Sequence, residues 1–93
     1  MPAITEAMIR VVVDKWVIRC WIAVEPEGIM DISSFRDILE KKVTLIARNA
    51  IVYKNDFDGY SIAKQIATEI KHCNACEVID IKGNGFVHYP EWP

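Results

Sequence analysis

The sequence lacks the charge patterns of a nucleic-acid binder, a secreted protein or a membrane protein. Its 11 lysines and arginines are scattered and are outnumbered by 13 acidic residues, so no basic patch is present to neutralise phosphates. The N-terminus shows neither the basic start nor the apolar run of a signal peptide. Four charges interrupt the apolar segment 9–24, which excludes a membrane span there. We therefore expect a cytoplasmic protein that binds neither nucleic acid nor a membrane.

Groups suited to catalysis are also few. The chain has two histidines, which leave little for general acid–base chemistry near neutral pH, and no serine or cysteine stands at a catalytic spacing from them. The four glycines are dispersed, so there is no glycine-rich loop to hold a phosphate. The sequence predicts a non-catalytic protein without a cofactor.

Apolar residues are plentiful, at 52% of the 93 residues. This content suffices for one domain, residues 1–93, whose core needs no metal or disulfide. The three cysteines are an odd number in a chain without a secretion signal, which predicts reduced thiols.

Residues 9–24 are rich in valine, isoleucine and tryptophan, and their charges change parity at Asp14 and Lys15. Arg10 stands at an even position before that point, and Arg19 stands at an odd one after it. A single strand does not reverse its faces in this way, whereas a β-hairpin with its turn at Asp14-Lys15 does. In that register one face is wholly apolar (Ile9, Val11, Val13, Trp16, Ile18, Cys20, Ile22 and Val24) and the other is mixed (Arg10, Val12, Val17, Arg19, Trp21 and Ala23). A single helix is the alternative, because the charges are also four residues apart.

A first helix is predicted from about Ser33 to about Arg48, where Asn49 can end it in a left-handed conformation. Its apolar face contains Phe35, Ile38, Leu39 and Ile46, with Val43 and Leu45 at the margins. An earlier end near Lys42, followed by a strand, remains open because β-branched residues follow it. The apolar run 50–53 predicts a short buried strand.

A second helix is predicted from Gly59 to about Cys73, with Asn74 as its left-handed cap. Its apolar stripe contains Ile62, Ala63, Ile66, Ala67 and Ile70. Two β-rich segments, 77–81 and 86–89, follow it and flank a Lys-Gly-Asn-Gly sequence, which predicts a final hairpin.

The order hairpin, helix, strand, helix, hairpin predicts an α+β domain. Two helices are expected to cover one face of a mainly antiparallel sheet of about five strands.

Three residues have the ligand chemistry of a zinc site. Cys73 and Cys76 form a Cys-x-x-Cys pair, and His88 follows in the final hairpin. A fourth ligand would come from His72 or Cys20. Standard fingers and ribbons have a second closely spaced ligand pair, which is missing here, so zinc binding is an alternative to a protein without cofactor. The predicted place of the pair, at a helix C-terminus, does not activate a thiolate and argues against a redox dithiol.

The sequence Asp56-Phe57-Asp58-Gly59 raises a second alternative, a metal-assisted hydrolase with an Asp-x-Asp site. It resembles the first motif of haloacid-dehalogenase-type phosphatases, in which the first aspartate attacks the substrate and both bind magnesium. Lys54 and Asn55 separate the motif from the preceding apolar run, and 93 residues are too few for that family's core. A structural role also explains this sequence, since Asp58 can cap the second helix and Asp56 can form the turn before it.

Aromatic side chains near an arginine give the leading hypothesis. Trp21 lies beside Arg19 on the mixed face, Tyr89 ends the last β segment, and Trp92 follows in the tail. Tryptophan, tyrosine and arginine are the residues that anchor protein interfaces. A valine-rich hairpin also offers an edge for strand addition. We therefore predict a small protein-interaction or regulatory module that binds another protein or itself as a homodimer.

Overall fold

The protein folds into a four-stranded sheet, and both helices come between its second and third strands. The computed structural model describes residues 5–24, 32–53 and 59–90. Its elements are β1 (Thr5–Val13), β2 (Trp16–Val24), α1 (Ile32–Tyr53), α2 (Gly59–Glu69), β3 (Cys73–Asp80) and β4 (Gly85–His88). The strands pair in chain order, and all three pairings are antiparallel. The predicted α+β class is confirmed, with four described strands instead of about five.

β1 and β2 form the hairpin that the change of charge parity predicts. Val13 pairs with Trp16 across a turn at Asp14 and Lys15, and Ile9 pairs with Cys20. Asp14 has a φ of 54°. A positive φ at the first turn residue alone is the pattern of a type II′ turn, in which glycine is the usual residue. The apolar face of the hairpin is turned towards the helices, and its buried members are Ile9, Val13, Trp16, Ile18, Cys20 and Ile22.

α1 is longer than predicted and includes the residues for which a strand was expected. The helix continues to Tyr53, so the predicted ends at Arg48 and Lys42 are wrong, and Asn49 lies inside the helix. Its buried side chains recur every three or four residues and are Leu39, Val43, Ile46, Ala47 and Ala50. Since Ala50 extends this stripe, burial at helical spacing outweighs the β propensity of the segment 50–53.

The buried stripe of α1 also lies further round the helix than predicted. Val43, predicted at the margin of the apolar face, is fully buried. Ile38, predicted on the apolar face itself, is 55% exposed. Leu45 is 60% exposed. The small Ala47 and Ala50 define the buried direction, because they let α1 approach the sheet and α2 closely.

α2 has the predicted apolar stripe but ends earlier than predicted. Its buried side chains include Ile62, Ala63, Ile66 and Ala67, and Ile70 just beyond it is also buried. The left-handed residue after the helix is His72, with a φ of 61°, instead of Asn74. The carbonyl of His72 accepts a hydrogen bond from the amide of Ala23 at 2.9 Å. This hydrogen bond joins the turn after α2 to β2, and β3 begins at the next residue, Cys73.

β3 and β4 form the predicted final hairpin, and Asp80 organises its turn. The Asp80 carboxylate accepts hydrogen bonds from the amides of Lys82 and Asn84, at 2.8 and 3.0 Å. Loss of hydration raises the pKa of Asp80, but the hydrogen bonds from Asn84 and Lys82 outweigh it and lower the pKa below its usual range. Gly83 has a φ of 85°, which a residue with a side chain adopts only under strain.

The two described helices contribute to a core that they share with the strands. Neither described helix combines the length and the apolar character that crossing a bilayer requires. Their buried side chains share one cluster with those of β1, β2 and β3.

Gly59 lies at a close approach between α2 and the sheet, and its replacement gives a test of this packing. A Cβ atom at Gly59 would stand 2.9 Å from Cε2 of Phe86 and 3.0 Å from Cζ3 of Trp16. The rings of Phe86 and Trp16 pack edge to face, with centroids 6.3 Å apart, so they have little room to move. We expect Gly59→Ala to lower the free energy of unfolding by about 1–3 kcal/mol in urea titrations.

Gly85→Ala is the matched control for this substitution. A Cβ at Gly85 would lie 3.7 Å from Ile79, which is an ordinary contact. This variant is expected to stay within about 0.5 kcal/mol of the wild type. Equal stability losses in the two variants would contradict the proposed packing, and Phe86→Leu should relieve part of the loss caused by Gly59→Ala.

Candidate functional site: the open face of the sheet

The face of the sheet that points away from the helices has no covering element within residues 5–24, 32–53 and 59–90. Alternation along the strands directs a second set of side chains to this side, which we call the open face. Cross-strand pairing places on it Met8 beside Trp21, Arg10 beside Arg19, Val12 beside Val17, and Glu77 between Arg19 and Val87. Met8, Val12 and Val87 are 42%, 57% and 41% exposed, so the open face presents apolar area to solvent.

An ion pair crosses the centre of the open face. Arg19 on β2 stands directly opposite Glu77 on β3, and its Nε donates to Oε1 of Glu77 at 2.8 Å. A second nitrogen of the same guanidinium contacts that oxygen. The Arg19 guanidinium also lies 6.0 Å from the ring centroid of Trp21. The pair therefore holds Arg19 beside Trp21, as the sequence pattern indicates.

A shallow groove of about 330 Å³ lies beside this ion pair. Its lining residues are Glu6, Trp21, Asn74, Ala75, Glu77, Val87 and Tyr89. Trp21 is half-buried, whereas Tyr89 is 71% exposed. Three of the four predicted interface residues, Arg19, Trp21 and Tyr89, thus lie close together, while Trp92 falls outside the described residues. Sequence reasoning missed Glu77 and Val87, because only the β2–β3–β4 register brings them next to Arg19 and Trp21.

A second cluster, of three thiols, lies on the helix-covered face. Cys20, Cys73 and Cys76 are fully buried and free of disulfides. The Sγ atoms of Cys20 and Cys76 are 3.3 Å apart across β2 and β3. Cys73 donates to the carbonyl of Ala75 at 3.3 Å and also contacts Cys20. The three residues form what we call the thiol cluster.

A register irregularity in β3 creates this cluster. Trp21 pairs with Ala75, but the next residue of β2, Ile22, pairs with Cys73, so Asn74 is left over as in a β-bulge. Without the irregularity, Cys73 and Cys76 would point to opposite faces, because they are three residues apart in a strand. Asn74 instead reaches the exposed side and donates a hydrogen bond to Glu6.

Two thiols of the cluster, those of Cys20 and Cys73, have raised pKa values in the folded protein. The hydrogen bond with Cys20 raises the pKa of Cys73 far above its usual range, and burial adds to the effect. The hydrogen bond from Cys73 lowers the pKa of Cys20, but the contact with Cys76 and burial outweigh it and raise the pKa strongly. Both thiols therefore stay protonated, and neither is activated as a nucleophile.

The predicted zinc ligands are only partly brought together. Cys76 and His88 are cross-strand partners, but the His88 ring packs edge to face on Tyr60, with centroids 5.6 Å apart. His72 is exposed in the turn before β3. Within the described parts of the chain, no three His, Cys, Asp or Glu side chains are grouped so that they would hold a metal ion. The Asp-x-Asp residues, Asp56 and Asp58, lie outside the described residues.

Comparison with known proteins adds no assignment. The chain matches no protein-family model, and neither a curated protein nor a solved structure is significantly similar to it.

The raised thiol pKa values predict a loss of stability at alkaline pH. In the unfolded chain the thiols ionise near their ordinary pKa of about 9, whereas Cys20 and Cys73 stay protonated in the folded protein. Above pH 9 the unfolded state therefore binds fewer protons, and the free energy of unfolding falls by about 1.4 kcal/mol per pH unit and thiol. Urea titrations from neutral to alkaline pH under reducing conditions measure this slope.

The matched variant is the double substitution of Cys20 and Cys73 by alanine. It is expected to be less stable at neutral pH, because cavities form, but to lose stability less steeply above pH 9. Parallel pH curves for wild type and variant would contradict the prediction, since lysine and tyrosine titration is common to both.

Zinc binding by Cys73, Cys76 and His88 stays a prediction, and elemental analysis tests it. If the three residues hold zinc, protein purified without chelator should contain nearly one zinc per chain. The content should fall in Cys73→Ser and be retained in the control Glu69→Gln, which changes an exposed helix residue. Metal-free wild-type protein that is folded and binds no added zinc would refute the site.

Proposed function

We propose that this protein is a small non-catalytic interaction or regulatory module, which binds another protein or a second copy of itself through the open face and the adjoining edge of the sheet. The observation that carries the proposal is the apolar open face around the Arg19–Glu77 ion pair, with Trp21, Val87 and Tyr89 beside it.

The composition of this surface supports a macromolecular partner more than a small ligand. Trp21 and Tyr89 provide large amphipathic contact areas, and Arg19 is fixed between Trp21 and Glu77 before any partner arrives. A side chain that is already ordered loses little entropy on binding, which favours affinity. The groove beside them is shallow and open, and an open surface suits a protein partner.

The charges on the surface support a protein partner more than a nucleic acid. Arg19 is neutralised by Glu77, and Glu6 lies on the groove wall, so no row of free cations is available for a phosphate backbone. The interface would be mixed in character, with the Arg19–Glu77 ion pair at its centre and exposed apolar side chains around it.

Site-specific photo-crosslinking tests the proposal. Tyr89 is replaced by p-benzoylphenylalanine, and the labelled protein is irradiated in native extract and with purified copies of itself. A partner bound at the open face should give one adduct of defined mass. Its yield should fall in Trp21→Ala and in Val87→Glu, because both remove apolar contact area beside Tyr89.

The control places the same photoreactive residue at Ile81. This residue is 80% exposed but lies in the β3–β4 turn, away from the groove. Identical labelling from both positions, or labelling from Tyr89 that neither variant changes, would refute the proposal. Circular dichroism of each variant separates lost binding from lost folding.

A further inference from the structure

β1 is an exposed edge strand whose outer backbone groups face solvent in the part of the chain that the structure describes. Its neighbour in the sheet is β2, on one side. The residues that flank a two-residue turn form a hydrogen-bonded pair, so Val13 and Trp16 are such a pair, and the pattern alternates along β1. It follows that Glu6, Met8 and Arg10 direct their N–H and C=O groups to the outer edge.

β1 carries two charged side chains, Glu6 and Arg10, but lacks other features that protect natural sheet edges. It is nine residues long and contains neither proline nor lysine. The opposite edge, β4, has only four residues, and Pro90 follows two positions later. An open groove of about 720 Å³ lies between Val12 and α1, so the helix leaves the outer edge of β1 accessible there. β1 is therefore the better of the two edges for adding a strand.

The charge pattern of β1 is self-complementary in one register. Glu6 and Arg10 are four residues apart, with Met8 midway between them on the same face. If two copies of β1 pair antiparallel about a two-fold axis at Met8, each Glu6 faces Arg10 of the second copy, and two ion pairs form. On the helix-covered face of the sheet, Ala7 then faces Ile9 of the second copy, so the pairing is apolar on that side.

Neighbouring registers do not have this complementarity. An axis at Arg10 places two arginines directly opposite each other, and an axis at Glu6 places two glutamates opposite each other, both of which are repulsive. An axis at Ile9 leaves Arg10 facing Met8, so it forms no ion pair. The charges thus select the register centred on Met8.

Arg10 also lacks a compensating charge within the described chain. Its cross-strand partner on β2 is Arg19, a like charge, and the Glu77 carboxylate is engaged by Arg19 on the far side of β2. Arg10 is exposed and has no ion pair among the described residues. Each Glu6, whose exposed carboxylate accepts a hydrogen bond from Asn74 of its own chain, would turn to the free edge of β1 and supply the missing carboxylate to Arg10 of the second copy.

We infer that two copies of this chain form a symmetric dimer by antiparallel β1–β1 pairing centred on Met8, which joins their sheets into one of eight strands. This inference rests on the proposed function, because it specifies self-association as one of the two forms of binding. The same pairing would place the two open faces side by side on one surface.

Charge reversal tests the register in solution. Light scattering and sedimentation over about a hundredfold range of concentration should show a dimer of the wild type that dissociates on dilution. Glu6→Arg and Arg10→Glu should each weaken the dimer at least about tenfold, because like charges then face each other. The double variant exchanges both charges, restores both ion pairs and should recover wild-type dimerisation within about threefold.

Two charge reversals on α2 serve as controls for net charge. Glu69→Arg and Lys64→Glu change exposed residues of α2, which packs against β3 and β4, and should leave dimerisation unchanged. If they weaken the dimer as much as the β1 variants do, the effect is one of net charge and the register is refuted.

Cysteine crosslinking tests the two-fold axis directly. In Met8→Cys the two new thiols face each other across the axis, so diamide should join them, taking up the two electrons and two protons released as the S–S bond forms. In the control Val12→Cys the two thiols would be about 27 Å apart and should not crosslink. The native cysteines are fully buried and stay unreactive in both variants.

A wild-type monomer at all concentrations, an assembly larger than a dimer, or crosslinking at position 12 but not at position 8 would overturn the inference. Specific labelling of another protein from Tyr89 under those conditions would leave the proposed interaction function intact. If both the self-association and the labelling were missing, the proposed function would fail with the inference.

Discussion

The reversal of side-chain direction at Asp14 and Lys15 is the constraint on which the rest of the structure depends. It places the apolar residues of β1 and β2 on one face, and this continuous surface must be buried. Both helices pack on it, and β3 completes it with Cys76 and Val78. The opposite face is left to side chains that tolerate water, so the location of the candidate interface is a consequence of where the helices pack.

The irregularity at Asn74 shows how one residue changes the chemistry of a strand. By leaving Asn74 unpaired, it turns Cys73 to the same side as Cys76 and next to Cys20. Burial and mutual contact raise the pKa of Cys20 and Cys73, and all three cysteines are part of the buried core. The same irregularity brings Asn74 to Glu6 on the exposed side and shapes one wall of the groove.

The candidate functional regions lie at the surface, because the interior of the described chain is filled by apolar side chains and thiols. Among the described residues no polar or charged side chain is buried. The described part of the chain leaves uncovered the open face, with Trp21 and Arg19 fixed by Glu77, and the outer edge of β1. A partner can add a strand at that edge while another surface contacts the open face. The two contacts are compatible because backbone hydrogen bonds lie in the plane of the sheet, whereas the side chains of the open face project perpendicular to it.

The sequence by itself determined the apolar stripe of α2 and the final hairpin, and its change of charge parity at Asp14 and Lys15 favoured the β1–β2 hairpin over a single helix. It also placed Arg19 beside Trp21, since two residues apart on one strand means neighbours on one face. Tertiary structure alone decided that residues 50–53 continue α1, because Ala50 is buried against the core in line with Val43 and Ala47. It likewise decided the positions of Glu77 and Val87 and the meeting of the three cysteines. These depend on cross-strand register, and register is set by contacts between residues far apart in the chain, which local spacing does not encode.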